Sequence, residues 1–200
     1  MIYVEFISRE PAIPREIFRY VADQSTSWVE AHRDQYLGQL GRTMRIGPHP
    51  AYLTIFRVDG LARLQEWEDY FLSDAYHTNL RSFAMQRSLQ MVRDGCYDEL
   101  VPTEPIGEGL YVLEFFSAAD KTSNSDIANE FALRTEGHRE ARLVMLLRRI
   151  GLLGPDPGGM AGWRLDSARE LEPFIRAPVR MQSVNRREAG LYRRFGKEIP

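Results

Sequence analysis

The stretch Glu30-Ala31-His32-Arg33-Asp34 returns later as Glu136-Gly137-His138-Arg139-Glu140, with His32 and His138 106 positions apart. Gly47-Pro48-His49-Pro50 returns 107 positions on as Gly154-Pro155-Asp156-Pro157. Nine residues past each glycine come Phe56-Arg57-Val58-Asp59 and Trp163-Arg164-Leu165-Asp166, and Leu64 matches Leu171 at the same spacing. Val4-Glu5-Phe6 and Leu113-Glu114-Phe115 align at an offset of 109. Any one of these matches is weak. Four in the same order at nearly constant spacing mean that one unit is present twice, and whatever one copy folds into the other must also fold into.

Within the first copy, residues 2–8 are apolar and β-branched enough for a strand. Pro11 and Pro14 end it, and Pro14 suits the first turn of a helix. Over residues 15–39 the apolar positions Ile17, Val21, Trp28 and Tyr36 recur at helical spacing. Residues 42–46 read as a short strand and 47–50 as a turn, since Gly admits positive φ and Pro fixes its own. Residues 52–58 are a third strand. Asp59-Gly60 then opens a helix expected to run to residue 92, and 96–101 is the fourth strand. Residues 102–109, with two prolines and two glycines, link the copies.

The second copy repeats the plan, with strands at 110–116, 144–150, 160–165 and 179–184 and helices at 125–142 and 167–175. Asp126 in the first turn of the longer helix favours its dipole. The first copy carries about twenty extra residues at 72–91, which read as an amphipathic helix. Residues 186–199, rich in arginine, are expected to fold back over the more thinly covered second sheet. The plan is α+β: two tandem ferredoxin-like βαββαβ repeats, residues 1–101 and 110–200.

Composition closes off several functional classes. A chain of 200 residues buries enough surface to fold without metal or disulfide. A net charge of −2 argues against a dedicated nucleic-acid binder, which carries a basic excess. Cys96 is the only cysteine, so an internal disulfide and a thiolate metal cluster are both excluded, and a reducing compartment fits. The opening Met1-Ile2-Tyr3-Val4-Glu5-Phe6 has no basic flank, and Glu5 interrupts its apolar run, unlike a signal peptide. With no apolar run of about 18 residues, no membrane span is expected. These readings point to a cytoplasmic protein. Lysine stands only at Lys121 and Lys197, an arginine bias that suits a GC-rich bacterial genome.

On these residues the chain resembles a tandem member of the NIPSNAP-like branch of the dimeric α/β-barrel superfamily. The likeness rests on Glu5 and Glu114 in the first strands, Gly47-Pro48 and Gly154-Pro155 after the second, and the Phe56-Arg57-Val58-Asp59 and Trp163-Arg164-Leu165-Asp166 ends of the third. It implies two units whose sheets form a barrel with helices outside, here an intramolecular pseudo-dimer that is a monomer or pairs further as a homodimer. It implies ligands between sheet and helices or inside the barrel. The superfamily holds haem-degrading enzymes, cofactor-free monooxygenases and members without assigned chemistry, so the fold alone does not fix function.

Two pairs of residues are the candidates for chemistry. On a helix, Glu30, Arg33 and Asp34 share a face and His32 points away from it; the same holds for His138 against Glu136, Arg139 and Glu140. Trp28, His32 and Tyr36 then form an aromatic stripe toward the sheet, where an imidazole serves as general base, proton shuttle or axial ligand. The plainer alternative is a pair of locally bonded core histidines. Glu5 shares a strand face with Tyr3 and Ile7, and Glu114 shares one with Val112 and Phe116. A carboxylate on an apolar face is either paired with an arginine or titrates high enough for acid/base work.

The expected site is therefore His32, His138, Glu5 and Glu114, with Trp28, Tyr36, Tyr3, Phe56 and Trp163 lining a ligand cavity in each half. No metal site is expected, because His49 and His77 lack partners at ligand spacing. No cofactor is read from the residues, although the resemblance admits haem. The leading expectation is a protein that binds or transforms a small apolar molecule. A non-catalytic module presenting sheet edges to a partner, and a haem or monooxygenase role, stand as alternatives.

Overall fold

A computed structural model describes residues 1–9, 35–43, 46–47, 52–71, 89–119, 121–138, 141–176 and 181–194. Most of the expected first helix, with Trp28 and His32, lies outside these residues, as do His49, His77 and positions 72–88 of the expected extra helix. Eight strands are described: β1 (Ile2–Arg9), β2 (Tyr36–Arg42), β3 (Tyr52–Arg57), β4 (Leu89–Val101), β5 (Leu110–Ala118), β6 (Ala141–Arg149), β7 (Gly159–Leu165) and β8 (Val184–Arg194). The described helices are α1 (Leu61–Phe71), α2 (Asn124–Gly137) and α3 (Leu171–Arg176).

The strands close into one antiparallel barrel in the order β1-β3-β2-β8-β5-β7-β6-β4. Each half contributes four neighbours in the same relative order, β4-β1-β3-β2 and β8-β5-β7-β6, which is the ferredoxin-like arrangement. The halves join along β2–β8 and β4–β6. Alternation along each strand sorts side chains between two sides. In β1, Ile2, Val4 and Phe6 point into the barrel, while Tyr3 and Glu5 point out. The inward set from all eight strands forms one cluster that includes Phe6, Tyr97, Tyr111, Phe115 and Tyr192. Eight strands enclose just enough width for side chains to fill. The interior is therefore core, and sites must be sought on the outer faces.

The seam between the halves is built twice. Arg42 Nη1 donates to the Gly47 carbonyl at 2.9 Å, and Arg149 Nη1 donates to the Gly154 carbonyl at 2.8 Å. Each of these turns presses on the last strand of the other half. Thr43 N–H donates to Leu191 O and Leu191 N–H to Ile46 O; equivalently, Ile150 N–H donates to Cys96 O and Cys96 N–H to Leu153 O. Gly47 and Gly154 both have positive φ, 110° and 147°. A Cβ on Gly47 would lie 2.2 Å from the Gly190 backbone, so nothing larger than glycine fits that approach.

Residues 102–109 do more than connect the halves. β2 and β6 each bulge at the same place, between Tyr36 and Gly38 and between Leu143 and Met145. A bulge leaves one residue outside the ladder. The freed carbonyls of Leu37 and Val144 are taken up by Ile106 N–H at 2.7 Å and Glu104 N–H at 2.9 Å. Ile106 also sits in the barrel core. The connecting segment is thus a strap that ties the two bulges together.

Four boundaries differ from the sequence reading. β2 is Tyr36–Arg42, not 42–46, because the bulge at Leu37 breaks the alternation and imitates helical spacing. β4 begins at Leu89, so Asp94-Gly95 lies inside a strand instead of closing a helix. α2 ends at Gly137, not 142, and β6 begins at Ala141. β8 is Val184–Arg194, not 179–184, so most of the expected arginine-rich flap is a barrel strand. Gly95-Cys96-Tyr97 and Gly190-Leu191-Tyr192 occupy equivalent places at an offset of 95. The offset falls from 107 to 95 between third and fourth strands, so the first half carries twelve extra residues there, not about twenty.

Candidate functional site

Strand register puts Glu5 and Glu114 at equivalent places on the two outer faces. Across β2, β3, β1 and β4 one row reads Gln39, Thr54, Glu5, Asp94. The matching row across β6, β7, β5 and β8 reads Leu146, Ala161, Glu114, Ala189. The adjacent rows are Tyr36, Phe56, Tyr3, Cys96 and Leu143, Trp163, Val112, Leu191. The glutamate is common to both halves, and every neighbour in its row differs.

In the second half the carboxylate is fully engaged. α2 starts at a capping box in which Ser123 and Asp126 bond each other's backbone N–H, and it turns Ile127, Phe131 and Arg134 toward the sheet. Glu114 is 2% exposed and Arg134 8%. Arg134 forms a two-pronged pair with Glu114: Nη1 bonds Oε2 and Nη2 bonds Oε1 at 3.0 Å. Trp163 Nε1 donates to Glu114 Oε2 at 3.0 Å. The guanidinium lies against two adjoining rings, 4.6 Å from the Trp163 centroid and 4.8 Å from that of Phe174. Breaking such a pair by removing one member costs about 3–5 kcal/mol, because the other charge stays buried.

His138 does not occupy the position expected of it. It caps the C-terminus of α2, with its N–H on Thr135 O, and its ring meets the edge of Phe174 at 5.4 Å. With the helix ended at Gly137, the opposition of His138 to a charged helix face is lost. Phe116, Phe131, Trp163 and Phe174 make a chain of ring contacts at 5.3–6.0 Å that fills the space between sheet and helices. Among the described residues these rings pack directly against the Glu114–Arg134 pair.

The first half treats its glutamate differently. Glu5 is half-buried and accepts a hydrogen bond from the Thr54 hydroxyl, which itself accepts from Gln39 Nε2 at 3.1 Å. Asp94 stands directly opposite on β4 and accepts from Tyr3 Oη at 2.8 Å. Burial pushes the Glu5 carboxyl up to about 7; Thr54 pulls it down and the like charge of Asp94 pushes it further up. Tyr3 is also raised, by burial first and then by Glu5. Tyr36 is pushed up to about 12 by burial, against the pull of Arg194.

Aromatic rings stand beside this polar row. Trp67 of α1 packs edge-on against Phe56 at 5.2 Å and against Tyr3 at 5.9 Å, and Tyr36 lies 5.5 Å from Phe56. Trp67 corresponds to Phe174 at the offset of 107, as Phe56 does to Trp163. Of the expected site residues, then, the structure brings Glu5, Tyr3, Tyr36 and Phe56 together in one half and Glu114 and Trp163 in the other. Gln39, Thr54, Asp94, Trp67, Arg134 and Phe174 complete these environments and were missed. Strand parity would have found Thr54; Asp94 was lost by reading it as a helix end.

Among the described residues no three His, Cys, Asp or Glu side chains converge to hold a metal ion, and no helix is long and apolar enough to cross a membrane. A groove of about 520 Å³ beside Arg148, Arg149 and Asp98 touches neither glutamate.

No family model and no curated protein matches this sequence. Solved structures do resemble it. A haem-binding protein from Thermus thermophilus superimposes with a TM-score of 0.60 at 13% identity, covering 98% of this chain and 90% of its own. A cyanide-bound mutant of chlorite dismutase from Candidatus Nitrospira defluvii gives 0.61 at 10%, with the same coverage. A monooxygenase-like protein from Lactobacillus acidophilus gives 0.55 at 9%, covering 96% and 92%. At these identities the likeness establishes the fold, that of the dimeric α/β-barrel proteins, and leaves the chemistry to the residues.

Proposed function

We propose that the chain is a NIPSNAP-like small-molecule binding protein whose working site is the outer face of the first half, residues 1–101. The second half, 110–200, is its structural counterpart, with the equivalent site filled by the protein's own side chains. One observation carries this reading: Glu5 lies in a polar row beside Thr54 and Asp94, while Glu114 lies in an apolar row, ion-paired with Arg134 and accepting from Trp163. A carboxyl titrating near neutrality beside an aromatic wall is a common signature of a functional site. The apolar body of a ligand would rest on Tyr3, Tyr36, Phe56 and Trp67. Its polar end would meet Glu5, which accepts or returns a proton near pH 7. Trp28 and His32 are assigned to the same site from their sequence positions alone.

The rival module reading requires unpaired sheet edges. Every described strand has a neighbour on both sides in the closed barrel, but the joints are short, β2 pairing β8 over Leu40–Arg42 and β4 pairing β6 over Tyr97–Val101, so any such edge is confined to the strand ends beyond them. The test is carbon-13 NMR of the glutamate carboxyls during titration with 1-naphthol. Glu5 is expected to titrate near pH 7, and its resonance and the Trp67 indole signal should shift saturably with the ligand. A Glu5 carboxyl titrating in the ordinary range, with neither signal responding to small aromatic molecules, would remove this reading.

A further inference from the structure

We infer that the barrel end beneath the strap binds a small organic carboxylate through Arg164 and Arg194 in the second half, where the first half holds its own Glu99. This site is separate from the Glu5 face and does not depend on it. The first half shows the closed arrangement. Arg57, the last residue of β3, donates through Nη2 to Glu99 Oε1 and to the Thr103 carbonyl, both at 2.9 Å. Thr103 N–H donates to the same carboxylate oxygen at 2.8 Å. Arginine, carboxylate and strap satisfy one another. In the second half Arg164 matches Arg57 at the offset of 107, and Arg194 matches Glu99 at the offset of 95 that relates β4 to β8. The register agrees: Glu99 lies opposite Leu147, and Arg194 lies opposite Leu40, the equivalent of Leu147. An arginine thus stands where the other half has the carboxylate.

Arg164 shows the consequence. Among the described residues no carboxylate or carbonyl oxygen bonds its guanidinium. Its Nε is sealed from solvent without a hydrogen-bond partner, beneath Gly109, where a Cβ would come within 3.1 Å of it. Only Nε is sealed in this way; the side chain as a whole is half-buried, and its two Nη groups reach solvent. Arg142 faces Arg164 across the β6–β7 pair, and Tyr111 faces it across β5–β7. Arg142, Arg164 and Arg194 all act on the Tyr111 hydroxyl, which itself donates to the Gly107 carbonyl at 2.9 Å. The strap sets Glu104 against Arg142, and sets Glu108, 81% exposed, 3.6 Å from Arg194. So exposed and distant a pair is weak and yields to a better-placed anion. Two strap carboxylates therefore face three guanidiniums, and Arg164 is the one left over. The planar fork of an arginine matches the two oxygens of a carboxylate, so a ligand carboxylate would give Arg164 the bond that Arg57 makes to Glu99.

The experiment is a proton–nitrogen NMR titration of the full chain at constant ionic strength, following the Arg164 Nε–H and the Gly107 and Gly109 amides. The probe is sodium propionate, which has the shape of a glutamate side chain, with propionamide as its neutral counterpart and inorganic phosphate as a second anion. Propionate is expected to shift all three signals saturably, with propionamide and phosphate each binding about tenfold more weakly. Arg164→Gln should lower propionate affinity by about tenfold, read at the two glycine amides. Arg194→Glu installs the first half's residue and should close the site from within. The Arg164 Nε–H should then move without any ligand, and propionate should no longer shift it. The wild-type comparison of propionate with propionamide stands without either variant, should one fail to fold. Propionamide matching propionate, shifts that rise without saturating, or undiminished binding to Arg164→Gln would overturn the site. Phosphate binding as tightly as propionate would overturn its assignment to carboxylates.

Discussion

Where the two halves meet, equivalent residues make equivalent bonds; where each half faces its helices, equivalent residues have parted. Arg42 and Arg149 hold equivalent glycine carbonyls, those of Gly47 and Gly154, and the two seams make equivalent backbone bonds, one to Leu191 and the other to Cys96. In the outer-face row that holds it only the glutamate is common, its neighbours being Leu146, Ala161 and Ala189 in one half and Gln39, Thr54 and Asp94 in the other. The seam is needed twice, since the barrel closes only if both joints hold. On the function proposed here a ligand site is needed only once. The second half meets its buried carboxylate from within, through Arg134.

The largest effect should come from breaking that internal neutralisation. Arg134→Met takes the guanidinium from Glu114, which is 2% exposed, and should destabilise the chain by about 3–5 kcal/mol in urea denaturation at pH 7. Adding Glu114→Gln to it should recover part of the loss, since the stranded charge is gone. A cost below about 1 kcal/mol for Arg134→Met would mean that the guanidinium is not what holds the second site, and the contrast between halves would fall.

Glu5 should respond in the opposite sense, and through pH. Its folded carboxyl titrates near 7, above the ordinary value of 4.5, so the native state holds that proton more tightly than the unfolded chain does. Stability should therefore fall as pH rises from about 4.5 through 7. Each pKa unit is worth about 1.4 kcal/mol, and the whole rise corresponds to about 3 kcal/mol. Glu5→Gln should match the wild type near pH 4 and exceed it by up to that amount at pH 8. Parallel stability curves for the two proteins would show that Glu5 is neutralised after all.

Much of this architecture could be read from the residues, and the reasons for the failures are local. The duplication and the strand order followed from short matches at fixed spacing, because a copied unit must fold as its original does. Glu5 and Glu114 were recognisable as carboxylates on apolar strand faces. The bulge at Leu37 hid β2, since one extra residue turns strand alternation into an imitation of helical spacing. β8 was hidden by Arg186, Arg187, Arg193 and Arg194, whose charges break the hydrophobic pattern by which a strand is read from sequence. Arg134 was invisible as a partner because ion pairing across a sheet–helix gap depends on which helical residue faces inward, and that required the end of α2 to be known.

The smallest effect tests the shared seam. Gly95 and Gly190 are equivalent, and each lies under the ring of a tyrosine two residues on. A Cβ on Gly95 would fall 2.8 Å from Tyr97 Cε2 and 3.0 Å from the Gly154 Cα; on Gly190 it would fall 2.7 Å from Tyr192 Cε2 and 3.3 Å from the Gly47 Cα. Both tyrosines are 1% exposed or less, so neither ring has space to retreat. Gly95→Ala and Gly190→Ala should each cost roughly 1–3 kcal/mol by overpacking. The two costs should agree within about 0.5 kcal/mol and add in the double variant, since the joints share no contact residues. If one alanine were tolerated and the other not, the joints would not be equivalent. The divergence seen on the outer faces would then reach into the seam, and a permanently closed pseudo-dimer would no longer explain why the rest of the repeat was kept.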